Sequence, residues 1–219
     1  MSKVSHPIFA RMYPAMSRAM DRGGMRERRI EVLSGLTGTV LEVGAGNGDY
    51  FTHYPAGVGR VVAVEPESRL RMLARQAADR ASVPIDVVDG LAEELPAEDQ
   101  SIDAVVATLV LCTVPRPEAA LREIYRVLKP GGQLRFLEHV RADTPGLIRV
   151  QKLMDTTVWP HIAGGCHTGR DTLTSIVDTG FHVDTLDRFR FPEQRIPTSF
   201  HIHGVATRPR SGPQEGRPS

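Results

Sequence analysis

Glu42-Val-Gly-Ala-Gly-Asn-Gly-Asp49 is the stretch that decides how this chain is read. It follows the apolar run Thr39-Val-Leu-Glu-Val43, whose β-branched content predicts a short buried strand. Asp49 to Tyr54 then predicts the start of a helix, stopped by Pro55. Glycine is needed where backbone turns tightly and a ligand must come close. A helix beginning just beyond would offer free N–H groups and a positive dipole end. A dinucleotide fingerprint would place its glycines as GxGxxG, the third serving the pyrophosphate end. Here the glycines are Gly44, Gly46 and Gly48, and position 49 is aspartate. A carboxylate beside a pyrophosphate is repulsive, so a ligand without phosphate fits better.

Working outward, apolar runs at Arg60–Val64, Pro84–Val88, Ile102–Ala107 and Gln133–Glu138 predict four more strands. Phe181–Asp187 and His201–Thr207 predict the last two. Helical periodicity lies between them, over Glu67–Ala81, Glu118–Leu128 and Arg170–Thr179. The second is closed by Lys129-Pro-Gly-Gly132, a helix stop. Strands alternating with helices imply a parallel sheet covered on both faces. Pro7 to Leu33 reads as one or two amphipathic helices interrupted at Gly23-Gly24. The fold class expected is a single Rossmann-like α/β domain over residues 1–208, with residues 1–35 as a helical lid. Residues 209–219, rich in Pro, Gly and Ser, are expected to be a disordered tail.

The chain has 219 residues, enough for one such domain with a sizeable core. Lys plus Arg number 27 against 26 for Asp plus Glu, a net charge of +1. This balance gives no long-range pull towards nucleic acid or an anionic membrane, and a small acceptor is easier to accommodate. The two cysteines, Cys112 and Cys166, are too few for a disulfide framework, which favours a reduced, cytoplasmic setting. No run is long enough to span a bilayer, and no signal-peptide pattern begins the chain. A monomer or homodimer is expected.

A glycine-rich turn alone need not hold a ligand. Glu65 weakens that bland reading, because it ends the second strand where a carboxylate can accept both hydroxyls of a ribose. Its competing role is a helix-start residue, since Pro66-Glu67 follows. S-adenosylmethionine (SAM) satisfies both ends: its amino-acid end is zwitterionic and it carries a ribose but no phosphate.

Glu42-Val-Gly-Ala-Gly-Asn-Gly48, Glu65 and Arg126-Val-Leu-Lys-Pro-Gly-Gly132 together resemble class I SAM-dependent methyltransferases, from about Val40 to Val140. The resemblance implies a seven-stranded sheet with the last strand antiparallel. It also implies SAM across the C-terminal edges of strands one, two and four. Thr108-Leu-Val-Leu-Cys-Thr-Val114, Glu138-His-Val140, Trp159-Pro-His-Ile162, Gly165-Cys166, Arg170 and His201-Ile are similar to the small thiol S-methyltransferases of the methyltransferase-like seven type. That likeness implies methylation of a small thiol. Related sequences labelled phosphatidylethanolamine methyltransferases keep amine or lipid-headgroup N-methylation open, and a SAM-binding scaffold without turnover is the third reading. The eukaryotic relatives carry an N-terminal membrane anchor, which this sequence does not show.

The expected cofactor contacts are Tyr13 from the lid, Glu42, Gly44, Ala45, Gly46, Asn47 and Gly48, Glu65 and Pro66, Gly90, Leu91, Ala92 and Glu93, and Thr108 and Leu109. Leu91 stands where many family members carry the acidic residue that reads adenine. It is expected to pack on the ring, with Glu93 or Asp89 as replacement acceptors. A thiol must become a thiolate to attack, and from a free pKa of about 8.5 a histidine suffices. His139, His161 and His167 are the candidate bases, each weighed against backbone-bonded or surface roles. Cys112, Glu138, Trp159, Cys166, Arg170 and His201 are the candidate acceptor-side residues. Cys112 also reads as a buried small hydrophobe, and Arg170 as a structural ion pair. A Cys112/Cys166/His167 metal site lacks a fourth ligand and short spacing, so no metal is expected.

Overall fold

The computed structural model describes residues 7–157 and 159–210. The first six residues of the expected lid, and 211–219 of the expected tail, lie outside the described residues. The strands are β1 (Gly38–Val43), β2 (Val58–Val64), β3 (Ile85–Val88), β4 (Ile102–Thr108), β5 (Leu128–His139), β6 (His182–Arg190) and β7 (Phe200–Thr207). They form one sheet in the order β3-β2-β1-β4-β5-β7-β6. The first five are mutually parallel, and β7 runs antiparallel to both its neighbours. Chain order reverses beside β1, between β2 and β4, which is where a doubly wound sheet opens a crevice at its C-terminal edge.

Alternation along the central strands feeds two apolar layers. Leu41, Val43, Val105 and Ala107 pack against Ala120, Leu121, Ile124 and Val127 of α4 (Pro117–Val127) and Ile176 of α7 (Thr172–Asp178). Val40, Val61, Ala104 and Val106 pack on the other face against Val32 and Leu33 of α2 (Arg26–Leu33) and Ala74 and Ala77 of α3 (Ser68–Ala78). α1 (Pro7–Met20) precedes α2, separated by a wide turn at Asp21–Met25 in which Gly24 takes φ 109°. The break expected at Gly23-Gly24 is therefore a bend between two helices.

Two elements differ from the sequence reading. The helix expected from Asp49 is only a 3-10 turn at Phe51–His53. Gly46 and Gly48 hold left-handed φ of 58° and 74°, which a helix cannot continue. A Cβ on Gly48 would lie 2.8 Å from Phe51 and 2.9 Å from Ala77, so the turn is pressed onto α3. The second difference is β5, which starts at Leu128 and runs through Lys129-Pro-Gly-Gly132. The helix does stop at Val127, as expected, but the stretch that follows it is already an irregular strand entry, where Gly131 N–H donates to the Arg208 carbonyl at 2.8 Å.

The stretch between β5 and α7 folds as α5 (Pro145–Asp155) and α6 (Trp159–Ile162). α5 is anchored by Gln151, which is fully buried. Its Oε1 accepts from Ala142 N–H at 2.8 Å. Its Nε2 faces the carbonyls of Val140, Thr168 and Pro197 at 3.2, 3.0 and 2.8 Å. One side chain thus joins β5, α5 and the loop before β7. Gln151→Leu strands several buried polar groups, so it is expected to destabilise by about 3 kcal/mol. Urea unfolding measures this, and a midpoint equal to wild type would remove Gln151 as the anchor.

Candidate functional site

The glycine loop hangs on Glu65. One carboxylate oxygen accepts from Gly46 N–H at 2.8 Å and the other from Glu67 N–H at 2.9 Å. Gly44 and Ala45 N–H both donate to the Val64 carbonyl, at 2.8 and 3.1 Å. The loop is therefore stitched to the end of β2. Arg71 braces it from behind, donating to the carbonyls of Glu65 and Pro66 at 2.7 and 2.8 Å and pairing with Asp89 at 3.2 Å. Burial pushes the Glu65 carboxyl up to about 7, against the two N–H donors. Burial likewise lifts Glu42 to about 7, against the Tyr54 hydroxyl donated at 2.7 Å and with Glu65 adding to the rise. Two reluctant carboxylates beside the loop repel a polyanion and favour a cationic ligand end.

α1 lies on this loop. A Cβ on Gly46 would sit 2.8 Å from the Tyr13 ring, and one on Gly164 2.8 Å from Phe9. Arg29, buried at 3% exposure, donates to Ser17 at 3.0 Å, Asp21 at 3.2 Å and Tyr50 at 3.2 Å, and its Nε has no partner among the described residues. Tyr13, Arg29, Glu42, Gly44, Asn47 and Thr108 line a narrow cleft of ≈30 Å³. Asn47 donates to Asp49 at 2.6 Å.

After β3, Leu91 is half-buried and pairs in an isolated bridge with Glu94. Ala92 is in the core, and a Cβ on Gly90 would lie 2.9 Å from Val64. Glu93 faces Arg116 at 4.0 Å.

The turn after β4 is equally constrained. Leu109 takes a left-handed φ of 58°, costing about 1 kcal/mol for a residue with a Cβ. Its N–H donates to Leu137 at 2.7 Å, and Thr113 Oγ1 donates to its carbonyl at 3.1 Å. The next three N–H groups, of Val110, Leu111 and Cys112, converge on the Glu138 carboxylate at 3.0, 2.9 and 3.0 Å. Glu138 is fully buried, and burial with the neighbouring Cys112 holds its carboxyl well above the usual range. It clamps backbone, with its oxygens turned to these donors. Val110 in turn covers Gly44, where a Cβ would lie 2.5 Å from its methyl.

Beside this clamp, His139 Nδ1 lies 3.5 Å from Cys166 Sγ and 3.9 Å from Cys112 Sγ, and the two sulfurs are 3.8 Å apart. The hydrogen bond with Cys166, together with burial, pushes the Cys112 thiol up. Of the three candidate bases, His139 alone reaches both thiols. His161 is exposed and turns Nδ1 to the Thr157 carbonyl at 3.1 Å. His167 turns Nδ1 to the Gly165 carbonyl at 2.7 Å and stands 3.3 Å from Arg170. His201 is buried against His139 and Phe189, with ring centroids 4.2 and 5.2 Å away, and its Nδ1 faces the Ser199 carbonyl at 2.9 Å. Burial lowers it to about 3, so it stays neutral.

Arg170 donates to the carbonyls of Leu111 and Val114 at 2.5 and 2.7 Å, so it straps the β4 turn rather than forming the ion pair considered from sequence. Trp159 is half-buried, and its indole N–H has no partner among the described residues. Val140, Arg170, Arg188, Phe189, Phe200 and His201 help line a cavity of ≈330 Å³ beyond β5, large enough for a small ligand. Sequence reading missed Arg29, Gln151 and Arg71. Arg29 sits in the run Arg26-Glu-Arg-Arg29, where nothing local marks which arginine turns inward.

A family model described as a methyltransferase domain matches residues 41–136. A mouse (Mus musculus) protein named thiol S-methyltransferase TMT1B is 34% identical over 94% of this chain and 87% of its own length. Its human (Homo sapiens) counterpart is 31% identical over 92% and 84%. The UbiE ubiquinone/menaquinone C-methyltransferase of Methylobacterium nodulans is 33% identical over 78% and 71%. Among solved structures, a SAM-dependent methyltransferase of Thermotoga maritima superposes with a TM-score of 0.66 at 23% identity, covering 92% of this chain and 98% of that one. The likeness extends from the glycine loop through the β4 turn to the final strand pair, and the chain belongs to the class I SAM-dependent methyltransferases, in the family that includes the thiol S-methyltransferases.

Proposed function

We propose that this SAM-dependent methyltransferase methylates a small thiol. The observation that carries the reading is the match to proteins named thiol S-methyltransferases over nearly the whole chain, including the insert between β5 and α7. The site chemistry supports it. Methyl transfer is an in-line displacement, in which the acceptor sulfur bonds the methyl carbon as the sulfonium C–S bond breaks. The acceptor must first lose its proton. His139 Nε2 lies 3.2 Å from the Thr198 carbonyl. A neutral ring therefore donates there and leaves the Nδ1 lone pair facing the C-terminal edge of β4 and β5. In the metal-free chain, that nitrogen takes the thiol proton.

SAM lies across the ends of β1, β2 and β4. Glu65 accepts the ribose hydroxyls through lone pairs left over from Gly46 and Glu67. Gly44–Gly48 and Glu42 border the methionine end, Gly90–Glu93 the adenine with Leu91 against the ring, and Thr108 and Leu109 the sulfonium. The cleft of ≈30 Å³ is a small fraction of a ligand pocket, so Tyr13 and α1 swing out to admit SAM and close again over it. The bend at Gly23-Gly24 provides the hinge. Among the described residues, no helix is long and apolar enough to cross a membrane. The two free thiols suit a reduced, cytoplasmic setting.

Two outcomes follow. Ribose hydroxyls donate best to an ionised carboxylate, so affinity for S-adenosylhomocysteine should rise as pH passes through about 7, where Glu65 ionises. Stability of the unliganded chain runs the other way. The folded carboxyl is raised from 4.5, so its contribution is complete below that value and is lost as pH climbs through about 7. Glu65→Ala should weaken S-adenosylhomocysteine binding by on the order of 2 kcal/mol and flatten the binding profile. Calorimetric titration across pH checks both, and unchanged affinity removes Glu65 from the site. For the acceptor, the enzyme is incubated with SAM and a panel of alkyl thiols, dithiols and amines. S-adenosylhomocysteine is expected with thiols, and release with amines alone rejects the thiol reading.

A further inference from the structure

The geometry points to a metal site: Cys112, His139 and Cys166 form a three-ligand cradle for a Zn²⁺-class ion, with a fourth position for the acceptor thiolate. The first part stands on the residues alone. The identity of the fourth ligand rests on the thiol reading above.

The three ligand atoms form a triangle with sides of 3.8, 3.5 and 3.9 Å. A tetrahedral ion with Zn–S of about 2.3 Å and Zn–N of about 2.05 Å requires S···S near 3.8 Å and S···N near 3.6 Å. The observed triangle is one face of that tetrahedron. Two thiols and an imidazole are also the donor set that selects zinc among the common divalent ions. Two thiolates and a neutral histidine neutralise the ion, which suits a site where both sulfurs are buried.

Each ligand is positioned from behind. The Thr198 carbonyl at 3.2 Å fixes the tautomer that presents the Nδ1 lone pair, as outer-shell partners of ligating histidines do. Glu138 clamps the Cys112 N–H at 3.0 Å. The loop carrying Cys166 is tied to the turn carrying Cys112 by the His167 N–H, which donates to the Cys112 carbonyl at 2.7 Å. Gly165, at φ 96°, passes so close to Thr113 that a Cβ would lie 3.0 Å from its carbonyl oxygen. Packing as small hydrophobes would account for two buried cysteines. It does not account for an imidazole lone pair converging on both.

Among the described residues no fourth protein ligand joins these three. Three protein ligands and one exchangeable position is the pattern of catalytic rather than structural zinc. An acceptor thiol entering that position gives its proton to solvent and its sulfur lone pair to the ion, displacing water. A metal-held thiol ionises more readily than a free one. His139 is then a ligand, and the ion takes over the activation that His139 provides in the metal-free chain.

The test uses the full chain, reduced and stripped of metal, titrated with Co²⁺. The expected result is one equivalent bound, with a thiolate-to-cobalt band in the near ultraviolet and intense visible bands of tetrahedral cobalt, both bleached by Zn²⁺. Cys166→Ser and His139→Ala, checked for folding by circular dichroism, should each weaken Co²⁺ binding by more than about a hundredfold, beyond the loss typical of an outer-shell partner. Wild-type protein that binds no Co²⁺, or gives a spectrum indifferent to Cys166→Ser, overturns the site. An alkyl thiol added without SAM should shift the charge-transfer band. If thiols are methylated at full rate by metal-free protein and leave the cobalt spectrum unchanged, thiolate ligation is overturned while thiol methylation stands. If the spectrum shifts but no thiol is methylated, the metal site stands and the acceptor reading falls.

Discussion

The whole cofactor side depends on one buried carboxylate meeting one backbone N–H. Glu65, 5% exposed, takes the Gly46 N–H across the crevice between β1 and β2. Without that bond, a loop with three left-handed glycines would have little to choose one conformation from. The same carboxylate caps the entry to α3 through Glu67 N–H. Loop geometry and the entry to α3 are thus tied to one group. Its burial keeps it close to titrating at neutral pH.

A second carboxylate repeats the device on the acceptor side. Glu138 gathers three successive N–H groups and holds Leu109 in a strained conformation just before them. A buried carboxyl of this kind is tolerated because three N–H donors point at it. The two clamps meet where Val110 covers Gly44. A shift in the cofactor loop is therefore felt at the turn that carries Cys112. α1 completes this side, with Tyr13 seated on Gly46.

Much of this was legible because it is local. The glycine loop, the carboxylate ending β2 and the apolar strands each announce themselves within a few residues. The seven strands and the antiparallel last one followed from the family resemblance. The helix expected at Asp49 failed because Gly48 had to press against Phe51 and Ala77, a packing demand no propensity records. Gln151 occupies an unremarkable place in α5, and only the meeting of three segments makes it a hub. His139 was legible as a strand-end histidine. Its approach to two cysteines, each 27 residues distant, was not, since that contact exists only after β5 and the insert close on the β4 turn. From sequence, the cysteines are weighed with His167 and that grouping is set aside; the His167 ring in fact turns to Gly165.

The most direct measurement is a crystal structure with S-adenosylhomocysteine bound. The account predicts both ribose hydroxyls on the Glu65 carboxylate and the homocysteine sulfur at the end of β4, turned towards Cys112 and His139. A nucleoside held away from Glu65, or a sulfur facing away from that edge, would contradict it.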